Sequence, residues 1–73
     1  MSTDAPTNLT LTVNGDEVML ESHATVATLL ARRQPRPPFA VELNKRLVRR
    51  PEYESTSLAA GDVVEIVTLV GGG

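Results

Sequence analysis

Leu9, Leu11 and Val13 alternate with Thr10, Thr12 and Asn14, the period of two that marks a strand with one buried face. Asn14-Gly15 follows directly. This dipeptide accepts positive φ at both central positions of a type I′ turn, so it predicts a tight hairpin. The return strand is Glu17-Val18-Met19-Leu20-Glu21, with Val18 and Leu20 on the core face. Residues 8–21 are therefore expected to form a β-hairpin. The spacing then changes. Val26, Leu29 and Leu30 recur at helical intervals and give one apolar stripe. Thr25 suits the N-cap, where its hydroxyl can accept a free amide of the first turn. Arg32 and Arg33 fall in the last turn, against the negative end of the helix dipole. Pro35, Pro37 and Pro38 stop the helix, which is predicted over residues 26–34.

Phe39, Val41 and Leu43 alternate again and predict a third strand. Leu47-Val48-Arg49 is expected to pair with it across an Asn44-Lys45-Arg46 turn. Residues 51–60 read as irregular from Pro51 onward, with one turn of helix around Leu58. Gly61-Asp62 marks a turn, and Val63 to Val70 is a nearly unbroken β-branched run. Such a run suits a strand with neighbours on both sides and one covered face. Val64 and Ile66 are assigned to the core, which turns Val63, Val67 and Leu69 to the opposite face. A mixed sheet of four to five strands packed on one helix buries every apolar stripe named so far. This is an α+β fold of the β-grasp type. Residues 1–7 are polar and read as a disordered lead-in, 8–70 as the folded domain and 71–73 as a flexible tail.

Composition narrows the chemistry. The 73 residues suit one small domain. The absence of cysteine excludes disulfides, thiolate metal sites and cysteine nucleophiles. A single histidine, His23, has no partner with which to hold a metal or act as a convincing base. Ser55, Thr56 and Ser57 lack any flanking motif for a nucleophile and read as loop chemistry. No apolar run reaches the ~20 residues of a membrane helix, and the first residues lack the basic and apolar regions of a signal peptide. A cytoplasmic domain with no catalytic apparatus of its own is expected.

Charge is uneven. All seven basic residues, Arg32, Arg33, Arg36, Lys45, Arg46, Arg49 and Arg50, lie in 32–50 with Glu42 as their one acidic neighbour. That stretch carries +6, while 1–31 and 51–73 carry −4 each, for a net −2. A solvated face is the ordinary reading of such a stretch. A docking stripe for an acidic partner is the functional one. RNA binding is disfavoured, since no exposed aromatics interleave with these bases and Phe39 is assigned to the core.

Three of the five glycines are Gly71, Gly72 and Gly73, and the most apolar strand leads straight into them. Without Cβ atoms such a segment can thread a narrow cleft with its backbone against the walls. The one reactive group at its tip is the α-carboxylate of Gly73. A carboxylate becomes an electrophile once its oxygen is made a leaving group, as in an acyl-adenylate. These features suit a protein acted upon by another enzyme better than a catalyst.

In order and spacing, Val13-Asn14-Gly15, Thr25-Val26 with Leu29-Leu30, Val41-Glu42-Leu43-Asn44, Gly61-Asp62 and Val64-Glu65-Ile66-Val67 before Leu69-Val70-Gly71-Gly72-Gly73 resemble the ubiquitin-like sulfur carriers, and among them the ThiS family of thiamine biosynthesis. Tyr53 stands where members often carry tryptophan. The resemblance implies that a ThiF-like enzyme adenylates the Gly73 carboxylate with MgATP and that sulfur from a persulfide donor displaces AMP. A thiazole synthase would then take sulfur from the thiocarboxylate. It implies no cofactor bound by the chain itself, while the composition argues against a membrane and disfavours nucleic acid as a partner. Gly71 and Gly72 would thread the partner's cleft, and Val63, Val67, Leu69 and Val70 would form the docking surface. Carriers for molybdopterin synthesis or tRNA thiolation share this chemistry, but the approach to the glycines, Thr68-Leu69-Val70, lacks the proline that molybdopterin subunits tend to have. A β-grasp binding module with an incidental tail is the alternative of another class.

Overall fold

The computed structural model describes residues 8–69. The expected hairpin forms as β1 (Asn8–Val13) and β2 (Asp16–Glu21), antiparallel and in register from Asn8↔Glu21 to Val13↔Asp16. Asn14 and Gly15 take φ of 51° and 86°, the pair of positive values that a two-residue type I′ turn requires. Leu9, Leu11, Val13 and Leu20 are buried, and Val18 is half-buried against them.

Helix α1 (Val26–Arg33) follows. It is one residue shorter than expected, because Gln34 adopts the left-handed conformation with φ 48° and donates its N–H to the Leu30 carbonyl at 2.8 Å. Pro35 disfavours right-handed helical geometry at the residue before it, which fixes the stop there. Eight residues are too few for a helix that is stable alone, so its ends and its buried face must hold it. The first turn leaves no N–H idle. Val26 donates to the Thr56 carbonyl at 3.0 Å, Ala27 to that of Tyr53 at 2.9 Å and Thr28 to the Thr25 hydroxyl at 3.3 Å. The Thr28 hydroxyl returns a bond from the Thr25 N–H at 3.1 Å, closing a capping box. Thr25→Ala is expected to cost about 1 kcal/mol and to lower the thermal midpoint by roughly 4–8 °C for a domain of this size. A circular dichroism melt would check it, and an unchanged midpoint would mean that the two carbonyls suffice.

Strand β3 (Phe39–Leu43) pairs antiparallel with β4 (Arg46–Val48). The turn between them is Asn44-Lys45 alone, shorter than the three residues expected, and β4 begins and ends one residue earlier than Leu47–Arg49. Lys45 takes a φ of 71°, a place where glycine is usual. Asn44 helps to hold the turn by accepting the Val63 N–H on Oδ1 at 2.9 Å and donating to Asp62 Oδ1 at 3.0 Å. No helix forms around Leu58. Instead a 3₁₀ turn, η1 (Arg50–Glu52), forms around Pro51, with Glu52 Oε1 accepting the Arg49 N–H at 3.0 Å. Leu58 is buried, tied through its N–H to the Ala24 carbonyl at 3.0 Å.

Strand β5 (Val63–Thr68) ends short of the predicted Val70, which lies outside the described residues. It occupies the middle of the five-stranded sheet, whose order is β2-β1-β5-β3-β4. Its partners are β1 in parallel and β3 antiparallel. A mixed sheet with one helix across one face is the β-grasp fold. Leu11, Val13, Leu20, Val26, Leu29, Val41 and Val64 are fully enclosed between the two layers. Phe39, assigned to the core, is only half-buried, and its ring stacks on Tyr53 with centroids 6.5 Å apart.

Candidate functional site

Strand alternation sorts β5 into two faces. Val64 and Ile66 are buried under α1, while Val63, Val67 and Leu69 are 44%, 47% and 48% exposed. Ala40 lies beside Val67, and Thr12 beside Val63. Leu69 keeps the strand's pairing going by donating its N–H to the Pro38 carbonyl at 2.8 Å. The three residues thus share the sheet face that the helix leaves uncovered, Val63 at the start of β5 and Val67 and Leu69 at the end from which the chain runs on to Val70 and Gly71–Gly73. Those four positions lie outside the described residues.

Two more apolar side chains belong to this face and were not singled out from the sequence. Met19 on β2 and Leu47 on β4 are 59% and 56% exposed, and with the three above they are the large exposed hydrophobics of the described residues. Period-two alternation was the available signal, because Met19 sits between Val18 and Leu20 and Leu47 precedes buried Val48. Scattered apolar side chains on a surface need no explanation, whereas a set confined to one uncovered face is the kind of surface that suits a partner. The face also holds Glu65, directly opposite Glu42. Like charges so placed repel, so a partner covering this face must offer a cation or leave the two carboxylates wet.

The remaining candidates do not assemble into a reaction centre. His23, the one histidine of the sequence, is exposed in the turn before the helix. Ser55 and Thr56 both donate their hydroxyls to the Glu52 carbonyl, at 3.3 and 2.7 Å, as loop residues do. Among the described residues no group of acidic or histidine side chains could hold a metal ion. The seven basic residues of 32–50 are all exposed. A shallow groove of about 460 Å³ runs beside Pro38, Phe39 and Tyr53, with Arg49 and Arg50 on its rim. It contains neither an acid–base pair nor a nucleophile. No helix of the described residues is long and apolar enough to cross a membrane.

The sequence profile of the ThiS family matches residues 7–73. The chain belongs to the ThiS family. The crystal structure of the thiamine biosynthesis protein ThiS from Geobacter metallireducens is similar, with a TM-score of 0.76 and 30% identity. That match covers 89% of this chain and 100% of the other. No curated protein matches the chain. ThiS membership makes the chain a sulfur carrier of thiamine biosynthesis, the family that its motifs resemble.

Proposed function

We propose that the chain carries sulfur as a thiocarboxylate on Gly73 for formation of the thiazole ring. The observation that supports this reading is the course of β5. The central strand of a ThiS-family domain runs, with its apolar face uncovered, into the segment that ends in Gly71-Gly72-Gly73. A ThiF-like enzyme docks on Val63, Val67, Leu69 and Val70 and draws the glycines into its cleft. There a carboxylate oxygen of Gly73 attacks the α-phosphorus of MgATP, and pyrophosphate leaves. The terminal sulfur of a persulfide donor next attacks the acyl carbon and expels AMP. A thiol then cleaves the acyl disulfide, leaving the thiocarboxylate on Gly73 and a disulfide on the donor side. Thiazole synthase consumes that sulfur. The carrier supplies an anchored, extended acyl group and a docking face, while the reacting metal and nucleotide belong to the activating enzyme.

Intact-mass measurement of protein purified from cells, with and without alkylation, tests the proposal. The expected result is a population with one oxygen replaced by sulfur, localised to Gly73 by fragmentation. A chain that stays unmodified after incubation with ATP, the activating enzyme, a persulfide donor and a reducing thiol would overturn it and favour a plain binding module.

A further inference from the structure

Asn14 has a second task beyond its turn. Its backbone N–H donates to the Val64 carbonyl at 2.9 Å, the last main-chain bond from β1 to β5 among the described residues. There the chain folds back into β2, and β1 has no further backbone to offer. The Asn14 side chain takes over. Its Oδ1 accepts the Ile66 N–H at 2.7 Å, and its Nδ2 donates to the Ile66 carbonyl at 3.1 Å. One carboxamide thereby stands in for the next peptide group of the parallel ladder, across 52 residues of sequence. Beyond Ile66, β5 is held from the β3 side, as far as the Leu69 N–H on Pro38.

Turn chemistry alone does not require asparagine here. Glycine and aspartate also tolerate positive φ at the first position of a type I′ turn. Glycine supplies neither bond to Ile66. Aspartate supplies the acceptor, but it sets a second oxygen against the Ile66 carbonyl where a donor is needed. Only a side-chain amide of this length satisfies both the turn and the strand.

We infer that Asn14 is a positioning residue that fixes the point at which the C-terminal segment leaves the sheet, and so the placement of Val67 and Leu69 for the activating partner. This rests on the carrier reading above. Losing the clamp moves the last hold on the β1 side from Ile66 back to Val64. The stretch held from one side then grows by two residues, and that stretch must be ordered again at each docking event. The effect should appear in the carrier's KM more than in kcat.

Asn14→Gly and Asn14→Asp are the test, with Asn44→Gly as a matched control. Asn44 starts the other two-residue turn, and its Oδ1 holds the Val63 N–H at the opposite end of the same strand. Native-state hydrogen exchange on the free proteins reads the clamp directly. In Asn14→Gly, exchange of the Ile66 and Leu69 amides is expected to rise at least ~10-fold, while Leu11 and Val41 stay protected. The carrier's KM in ATP–pyrophosphate exchange should rise ~3–10-fold with kcat little changed, and Asn14→Asp should fall between. Asn44→Gly should loosen Val63 and leave Leu69 exchange near wild type, and, because Val63 belongs to the proposed docking surface, it should raise KM by clearly less than Asn14→Gly does. Unchanged Leu69 exchange in Asn14→Gly would overturn the inference, as would equal KM effects of the two glycine variants. If the wild-type chain is not adenylated at all, the carrier reading falls, while the exchange data still decide whether Asn14 orders the strand end.

Discussion

A chain shortened to end at Gly71 is expected to keep its fold and lose sulfur transfer completely. The fold should survive because the buried hydrophobic core of the described residues runs from Leu9 to Ile66 and includes nothing after it. A thermal midpoint within about 2–4 °C of the full chain is the expected outcome, since changes away from the core usually stay within about 0.5 kcal/mol. Transfer should vanish because the acceptor of the adenylyl group is no longer in place. Adding a single alanine after Gly73 isolates this argument from any loss of tail. The extended chain has the same glycines, but its carboxylate is displaced by ~3.5 Å along the tail. A misplacement of only 1 Å at a reacting centre can cost on the order of 100-fold. ATP–pyrophosphate exchange by the activating enzyme should therefore drop at least ~100-fold with the extended chain, and no thiocarboxylate mass should appear. Full activity of an extended chain that mass spectrometry shows to be uncleaved would refute the role given to Gly73.

Much of this domain is written in local patterns. The Asn14-Gly15 turn, the threonine cap and the inward phase of Val64 and Ile66 all depend on neighbours within a few residues, and each could be read along the chain. The places where the reading failed share a physical cause. Lys45 takes a left-handed conformation that its side chain does not advertise, because Asn44 is fastened to Asp62 and Val63, 18 and 19 residues away. The turn of helix expected near Leu58 is absent because the carbonyls of Tyr53 and Thr56 are spent on the first turn of α1. That long-range exchange has no local signature. The proposed docking face shows the same division. Alternation placed Val63, Val67 and Leu69 outward, but the sheet order that spreads Met19 and Leu47 over the same face is a tertiary fact. Asn14 was readable as a turn residue and unreadable as a clamp on Ile66.

Leu69→Glu is expected to weaken binding to the activating enzyme by roughly 100-fold, or about 3 kcal/mol, without destabilising the carrier. Two costs combine. The first is the apolar area of a half-exposed leucine that the interface would bury, at roughly 25 cal/mol per Å². The second is larger, because a carboxylate taken into an apolar contact loses its water and is costly unless paired. The Glu42–Glu65 pair on the same face supplies no cation for it. In the free protein the new side chain stays in solvent, and the Leu69 N–H still reaches Pro38 through the backbone, so the melt should not move. Ala31→Glu, on the exposed side of α1, adds the same charge away from the sheet face and should leave affinity unaltered. Titration calorimetry of both variants against the activating enzyme separates local contact from net charge. Unaltered affinity of Leu69→Glu would remove Leu69 from the interface. Extending the series to Val67, Leu47 and Met19 then sets the footprint. Losses confined to Val67 and Leu69 would mean that the enzyme grips the strand leading to the glycines, whereas losses at Leu47 and Met19 as well would mean that it covers the whole width of the sheet.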